Sequence, residues 1–266
     1  MRKLFNKEQE EFIRSNYQTM KYTTIANSLG FSERQVRGWI NNHCDTKLRK
    51  FNSSYFEVID TPEKAYWVGF IYADGYLIYS PERRTYELGM ELQKEDKYIL
   101  DRLNQVLGGQ HKLYYKSQIK EICGHSPSKT ESWVLRVYSK KIVEDLMRLG
   151  VHPRKTLGSE FPKIDEYFWD FLRGYFDGDG CFYVNRGRYP VVNITSSHRE
   201  VLDYISNKLS EYKIKSAVYQ EHELKYRLVV YNQSALLFCD KIYHQNHEIK
   251  LIRKYSKYLK FLGLAA

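Results

Sequence analysis

Apolar and polar positions along this chain change their period repeatedly, and each change marks an element. From Thr85 to Gln93, Leu88, Met90 and Leu92 alternate with Glu87, Gly89 and Glu91, the period of two expected of a strand with one buried face. Tyr76 to Ser80 reads as the strand that precedes it in a hairpin. A helix follows from Asp96 to Leu107, then strands around Tyr114 and around Trp133, Leu135 and Val137, then a helix from Lys140 to Leu149. The order then recurs. Strands around Phe182 and Val191–Thr195 precede a helix from His198 to Tyr212. Strands around Val218 and Tyr226–Tyr231 precede a helix from Ser234 to Tyr243. The strand Trp133-Val134-Leu135-Arg136-Val137-Tyr138 even resembles Tyr226-Arg227-Leu228-Val229-Val230-Tyr231. The economical description is an internal duplication. It predicts an α+β fold of two αββαββα halves, residues 61–157 and 158–266, whose antiparallel sheets form a pseudo-twofold saddle.

Ahead of the halves, residues 1–50 predict a small all-α domain of three helices. The first runs from about Lys7 to Asn16, and the second from about Thr23 to Leu29, stopping at Gly30. The third opens at Ser32, where Ser32 and Gln35 fit a capping box. Ala26, Gly30, Val36 and Trp39 have helix-turn-helix spacing: a small residue where helices cross, glycine at the turn, and two apolar anchors. Arg34, Gln35, Arg37 and Asn41 then face outward, as side chains that contact bases and phosphates in a major groove do. A three-helix bundle that binds protein has the same periodicity. Residues 51–60 read as a linker, and Thr61-Pro62 starts the next helix, with Thr as N-cap and Pro at the first position.

Each half opens on the same short pattern. Trp67-Val68-Gly69-Phe70-Ile71-Tyr72-Ala73-Asp74-Gly75 and Leu172-Arg173-Gly174-Tyr175-Phe176-Asp177-Gly178-Asp179-Gly180 both read as an amphipathic helix ending on Asp and closed by Gly. Gly69 and Ala73, like Gly174 and Gly178, are four apart and share a helix face. Faces without bulk let two backbones approach, so the helices should pack as a seam that sets Asp74 beside Asp179. A helix C-terminus disfavours a carboxylate, and two together repel. A hard divalent cation would neutralise them, and sparse carboxylates completed by water and phosphate suit Mg²⁺, or Mn²⁺. A single Asp-Gly is more simply the start of a turn, but two copies on matching helices argue for the site.

The repeated pattern resembles the two motifs of monomeric LAGLIDADG homing endonucleases, over the chain from about Thr61 onward. The resemblance implies that Asp74 and Asp179 are catalytic metal ligands and that the protein cuts both strands of DNA, one near each Asp. It implies a cut across the minor groove with short 3′ overhangs. It also implies a basic residue near each scissile phosphate. Lys155 fits after the first half and Lys254 in the second, with Lys250 as the alternative. The first motif departs from the family in having Tyr72 where the earlier, structural Asp would stand.

Composition agrees with a polyanionic partner. The 266 residues carry a formal net charge of +10, and residues 1–50 hold ten Lys and Arg against five Asp and Glu, half of that excess. Cys44, Cys123, Cys181 and Cys239 are scattered, which argues against a zinc site or a disulfide framework. The charged start lacks the apolar run of a signal peptide, and no uncharged run is long enough to span a membrane. The expectation is a soluble, intracellular (cytoplasmic) monomer.

By alternation, Lys112, Tyr114, Lys116, Gln118, Lys120, Arg136, Asn193, Thr195, Arg227 and Tyr231 fall on the helix-free sheet faces. The hairpin tip Asn185-Arg186-Gly187-Arg188 extends them, with Arg186 and Arg188 as contacts. As one set they suit phosphates and base edges of double-stranded DNA. Gln93 and Thr195, at matching strand ends, could position water. Two other readings use the same fold: a DNA-binding regulator without catalysis, which would usually lose the motif acids, and an RNA maturase. The helix-turn-helix favours DNA, since A-form RNA has a major groove too narrow for a helix.

Overall fold

The structure, a computed structural model, describes residues 5–17, 20, 22–44, 51–109, 111–120, 128–153, 161–223, 225–243 and 249–264. The chain divides into two compact units, Met1–Asn52 and Ser53–Ala266.

The first unit holds α1 (Lys7–Asn16), α2 (Tyr22–Leu29) and α3 (Glu33–His43) around Ile13, Tyr17, Ile25, Ala26, Val36, Trp39 and Ile40. Sequence sets both helix starts. Asn6 and Ser32 each form a capping box, with Gln9 and Gln35 respectively, satisfying amides that a helix start leaves bare. Gly30 sits at φ +68, the left-handed conformation that ends a helix and that glycine adopts freely.

The second unit repeats one arrangement. In the first half α4 (Pro62–Asp74) leads into β1 (Gly75–Ser80), β2 (Thr85–Gln93), α5 (Lys97–Val106), β3 (Leu113–Lys120), β4 (Ser128–Tyr138) and α6 (Lys140–Arg148). In the second half α7 (Phe168–Asp179) leads into β5 (Gly180–Asn185), β6 (Tyr189–Ser196), α8 (Arg199–Glu211), β7 (Ser216–His222), β8 (Lys225–Tyr231) and α9 (Asn232–Tyr243). A further helix, α10 (Ile252–Phe261), which periodicity did not suggest, follows.

Both sheets are four-stranded and antiparallel, in the orders β1-β2-β4-β3 and β5-β6-β8-β7. Their registers correspond. Gly75 pairs with Met90 as Gly180 pairs with Ile194, and Leu88 pairs with Val137 as Val192 pairs with Val230. The α+β duplication is therefore present pair by pair. The register corrects one expectation: Thr195 corresponds to Glu91, not to Gln93, because each follows the partner of the first strand's glycine.

The motif helices are not amphipathic as expected. Ala65 to Tyr72 and Phe171 to Asp177 are buried without interruption, as a helix enclosed on all sides must be. Each is covered on one side by the other and elsewhere by its own sheet, and α7 also by α9.

Candidate nuclease site

Two glycines bring the motif helices together. A Cβ on Gly69 would lie 2.0 Å from the Phe171 carbonyl oxygen, and one on Gly174 would lie 2.0 Å from that of Tyr66. No side chain fits there, so backbone rests on backbone. One turn on, a Cβ on Gly178 would meet Ala73 Cβ at 2.2 Å and Asp74 Oδ2 at 3.4 Å. The carboxylate of one motif thus lies against the main chain next to the other motif's Asp179, and both aspartates are exposed at the seam's end.

The glycines after the aspartates do not make turns. Gly75 (φ −80) and Gly180 (φ −87) are extended and open β1 and β5 directly. They are glycines for want of space: a Cβ would fall 2.7 Å from the Ile71 carbonyl oxygen in one case and 2.0 Å from the Phe176 ring in the other. A turn-forming Asp-Gly is thereby excluded. The passage from helix to strand places each carboxylate at the root of its sheet.

Lys254, in the first turn of α10, is nearly buried, and its Nζ donates to the carbonyl oxygens of Phe176 (2.9 Å) and Gly178 (2.8 Å). It therefore caps the negative end of α7 beside Asp179. Burial pushes its pKa down to about 8, while Asp177, Asp74 and Asp179 pull it upward. Lys250 lies elsewhere, its ammonium over the Tyr255 ring at 4.9 Å, near Arg173 and Asp177. Of the two candidates, the geometry brings Lys254 to the aspartates. Lys155 falls outside the described residues.

Asp177 is the earlier, structural Asp of the second motif, and its partners were not foreseen in the sequence. It is fully buried and accepts hydrogen bonds from Tyr66 Oη (3.0 Å), Tyr243 Oη (2.9 Å) and the Leu251 amide (2.8 Å). Burial raises its pKa against these donors and Lys254. The carboxylate so joins α4, α7, α9 and the approach to α10. In the first motif Tyr72 takes the corresponding place and packs edge-on against Phe161 and Tyr175. Its partner Phe161 comes from another segment and was not foreseen in the sequence.

Hard oxygen ligands at Asp74 and Asp179 fit a small divalent cation. Among the described residues no group of three or more His, Cys, Asp or Glu is assembled for a metal. Two carboxylates would leave room around such a cation for water and phosphate oxygens.

Apart from Lys120, whose side chain lies outside the described residues, the helix-free faces hold the expected set, with partners that sequence could not show. On the first sheet Tyr76 crosses Gly89, where a Cβ would lie 2.0 Å from its ring, and donates to Glu87 Oε1 at 2.9 Å. Glu87 also faces Arg136 (3.5 Å), and Glu91 pairs with Lys116 (3.1 Å) and accepts from Ser132 (2.6 Å). On the second sheet Arg227 pairs with Glu221 (3.1 Å), among Asn193, Thr195 and exposed Tyr183, Tyr219 and Tyr231. Lys112 precedes β3 and lies 5.4 Å from the Tyr114 ring centre, and Gln118 shares the face of Tyr114 and Lys116. Arg186 (φ 50) and Arg188 are exposed at the β5–β6 tip, Arg188 lying over Tyr189.

In the first unit Arg34, Gln35, Arg37 and Asn41 are exposed on α3. Gln35 Oε1 is committed to Ser32, and Arg37 pairs with Glu33 and overlies Tyr22. Only the amide nitrogen of Gln35 is thus left for a ligand.

Two sheets springing from a glycine-lined helix seam that ends in paired aspartates define the LAGLIDADG homing endonuclease fold. Residues 169–243 match the family model described as a LAGLIDADG-like domain. The chain carries that domain and, with it, two motif helices. The meganuclease I-SmaMI bound to uncleavable DNA is similar in fold, with a TM-score of 0.51 and 16% identity over 76% of this chain and 89% of that one. Among curated proteins, the tRNA-splicing ligase RtcB of Pyrococcus abyssi is 27% identical over 70% of this chain, and the reverse gyrase of Methanocaldococcus jannaschii is 31% identical over 45%. The matches span 22% and 8% of those two proteins. No helix among the described residues is long and apolar enough to cross a membrane.

Proposed function

We propose that this chain is a site-specific endonuclease that hydrolyses one phosphodiester in each strand of a DNA duplex, and that it acts as a monomer. The observation that carries the reading is the seam's end: two exposed carboxylates from duplicated helices, with a buried lysine on the main-chain carbonyl next to one of them. A purely structural seam would gain nothing from acids at two negative helix ends. The curated relatives' named activities differ from one another and involve small fractions of their lengths, so none of them is carried over.

Hydrolysis joins a water oxygen to phosphorus, breaks a backbone P–O bond, and leaves a proton to be removed and an oxyanion to be neutralised. Asp74 and Asp179 would hold a divalent cation, which supplies charge neutralisation at the phosphate and a more acidic water. Lys254, with its pKa near 8, can offer positive charge or a proton to an oxyanion at neutral pH. Lys155 is the proposed counterpart in the first half. The sheet faces would carry the duplex, with Lys112, Lys116, Arg136, Arg227, Arg186 and Arg188 on phosphates or base edges. Arg34, Arg37 and Asn41 of the first unit would act as a separate helix-turn-helix contact. Lys116, Arg136 and Arg227 already hold carboxylates, so contact with DNA exchanges one anion for another.

The test is to incubate the purified chain with a randomised duplex library and Mg²⁺, or Mn²⁺, and to sequence the cut ends. Paired breaks at one recurring sequence are expected. Binding without any cut under either ion would leave a regulator and refute the nuclease.

A further inference from the structure

The first turn of α10 is not held by its own sequence. Leu251, its N-cap residue, provides no side-chain hydrogen bond, and a helix start leaves amides that need acceptors. The first half provides one of them, and holds a side chain of the same turn. Tyr98 Oη accepts from the Ile252 amide (2.6 Å) and donates to the Lys250 carbonyl oxygen (3.1 Å), bridging the main chain around the cap. Asp96, itself buried, accepts from Arg253 Nε at 2.8 Å. From the seam, Asp177 takes the Leu251 amide. Four consecutive residues, 250 to 253, are thus fixed from outside, and Lys254 comes next.

Its placement runs against the helix's own electrostatics. A cation in the first turn faces the positive end of α10, and its ammonium is drawn instead onto the carbonyls that close α7. Something must keep the turn from releasing the side chain to solvent. Asp96 sets a negative charge on Arg253 in that turn, and Tyr98 replaces the missing cap.

We propose that Tyr98 and Asp96, on the first half, are positioning residues for Lys254 on the second, so that one half sets the lysine used beside the other half's Asp179. The inference rests on the nuclease reading for its consequence, but not for its test. Tyr98→Phe removes one hydroxyl from a half-buried ring and keeps the ring's packing. Asp96→Asn keeps shape and weakens the Arg253 contact.

The full chain and both variants would be treated with acetic anhydride at one fixed pH, and lysine acetylation followed by peptide mass mapping. Lys64, bonded to Asp60 and the Val58 carbonyl, is the internal reference. Loss of the latch should raise Lys254 labelling about fivefold or more relative to Lys64, the opening expected on losing such a hydrogen bond. An unchanged ratio in both variants would overturn the proposal, as would a rise shared by Lys64, which would report general loosening. The labelling needs no DNA and decides the latch whether or not the chain cuts. On a cleaved duplex, the variants should cut one strand roughly 10- to 100-fold more slowly at unchanged DNA affinity. Equal rates on both strands would separate a failed positioning role from a failed nuclease reading.

Discussion

Gly69 and Gly174 stand in mirrored positions across the α4–α7 seam, each leaving room for a main-chain carbonyl of the other helix. Contact between backbones cannot yield by rotating a side chain. Gly174→Ala should therefore destabilise the second unit, and Gly174→Leu more so, by the roughly 1–3 kcal/mol typical of overpacking or beyond it. Thermal melting of the variants checks this. An unchanged midpoint would mean that the helices part at no cost.

Asp74→Asn and Asp179→Asn should each abolish double-strand cleavage with duplex affinity largely kept. Both carboxylates are exposed, so the substitutions should leave the core intact. Separating the products on a denaturing gel distinguishes a residual nick from a full break. Full double-strand cutting by the double variant would remove both aspartates from the site.

Lys254 predicts a pH dependence of stability. Its pKa falls from 10.5 when unfolded to about 8 when folded. Between those values the unfolded chain holds a proton that the folded chain lacks, so folding becomes more favourable as pH rises. The cost of the buried charge is fully present below about pH 8 and is relieved by pH 10.5. Against a Lys254→Met variant, the wild type should gain stability across that window, on the order of 3 kcal/mol at most. Denaturant titrations of both proteins at several pH values measure it, and a flat difference would contradict a buried, cationic Lys254.

Removing residues 1–50 should leave a folded, metal-dependent core that binds duplex DNA more weakly and over a shorter footprint. The first unit has its own apolar cluster and half the net positive charge. Each lost phosphate contact should reduce the slope of log affinity against log salt by about 0.9. Identical slopes for full and truncated chains would assign α3 to another partner.

Much of this arrangement was legible in the sequence because it is local. Alternation gave β2 its bounds, the Ser32–Gln35 spacing gave the start of α3, and small residues four apart gave the seam. What escaped depends on contacts between distant segments. Asp177 is buried by Tyr66, Tyr243 and Leu251, none of them its neighbour in sequence. The ion pairs of Lys116 and Arg136 join strands whose register only folding fixes. α10 lacks a cap of its own, so the usual signal for a helix start was missing.

The unequal residues at Asp177 and Tyr72 make the two motif helices non-interchangeable. A chain symmetrised by copying the second motif into the first place would bring a second carboxylate to a site lined by the rings of Phe161 and Tyr175. An uncompensated buried charge there would cost several kcal/mol. The opposite copy would strip Tyr66, Tyr243 and Leu251 of their shared acceptor. An engineer recombining halves must therefore move each motif helix with the segments that surround it.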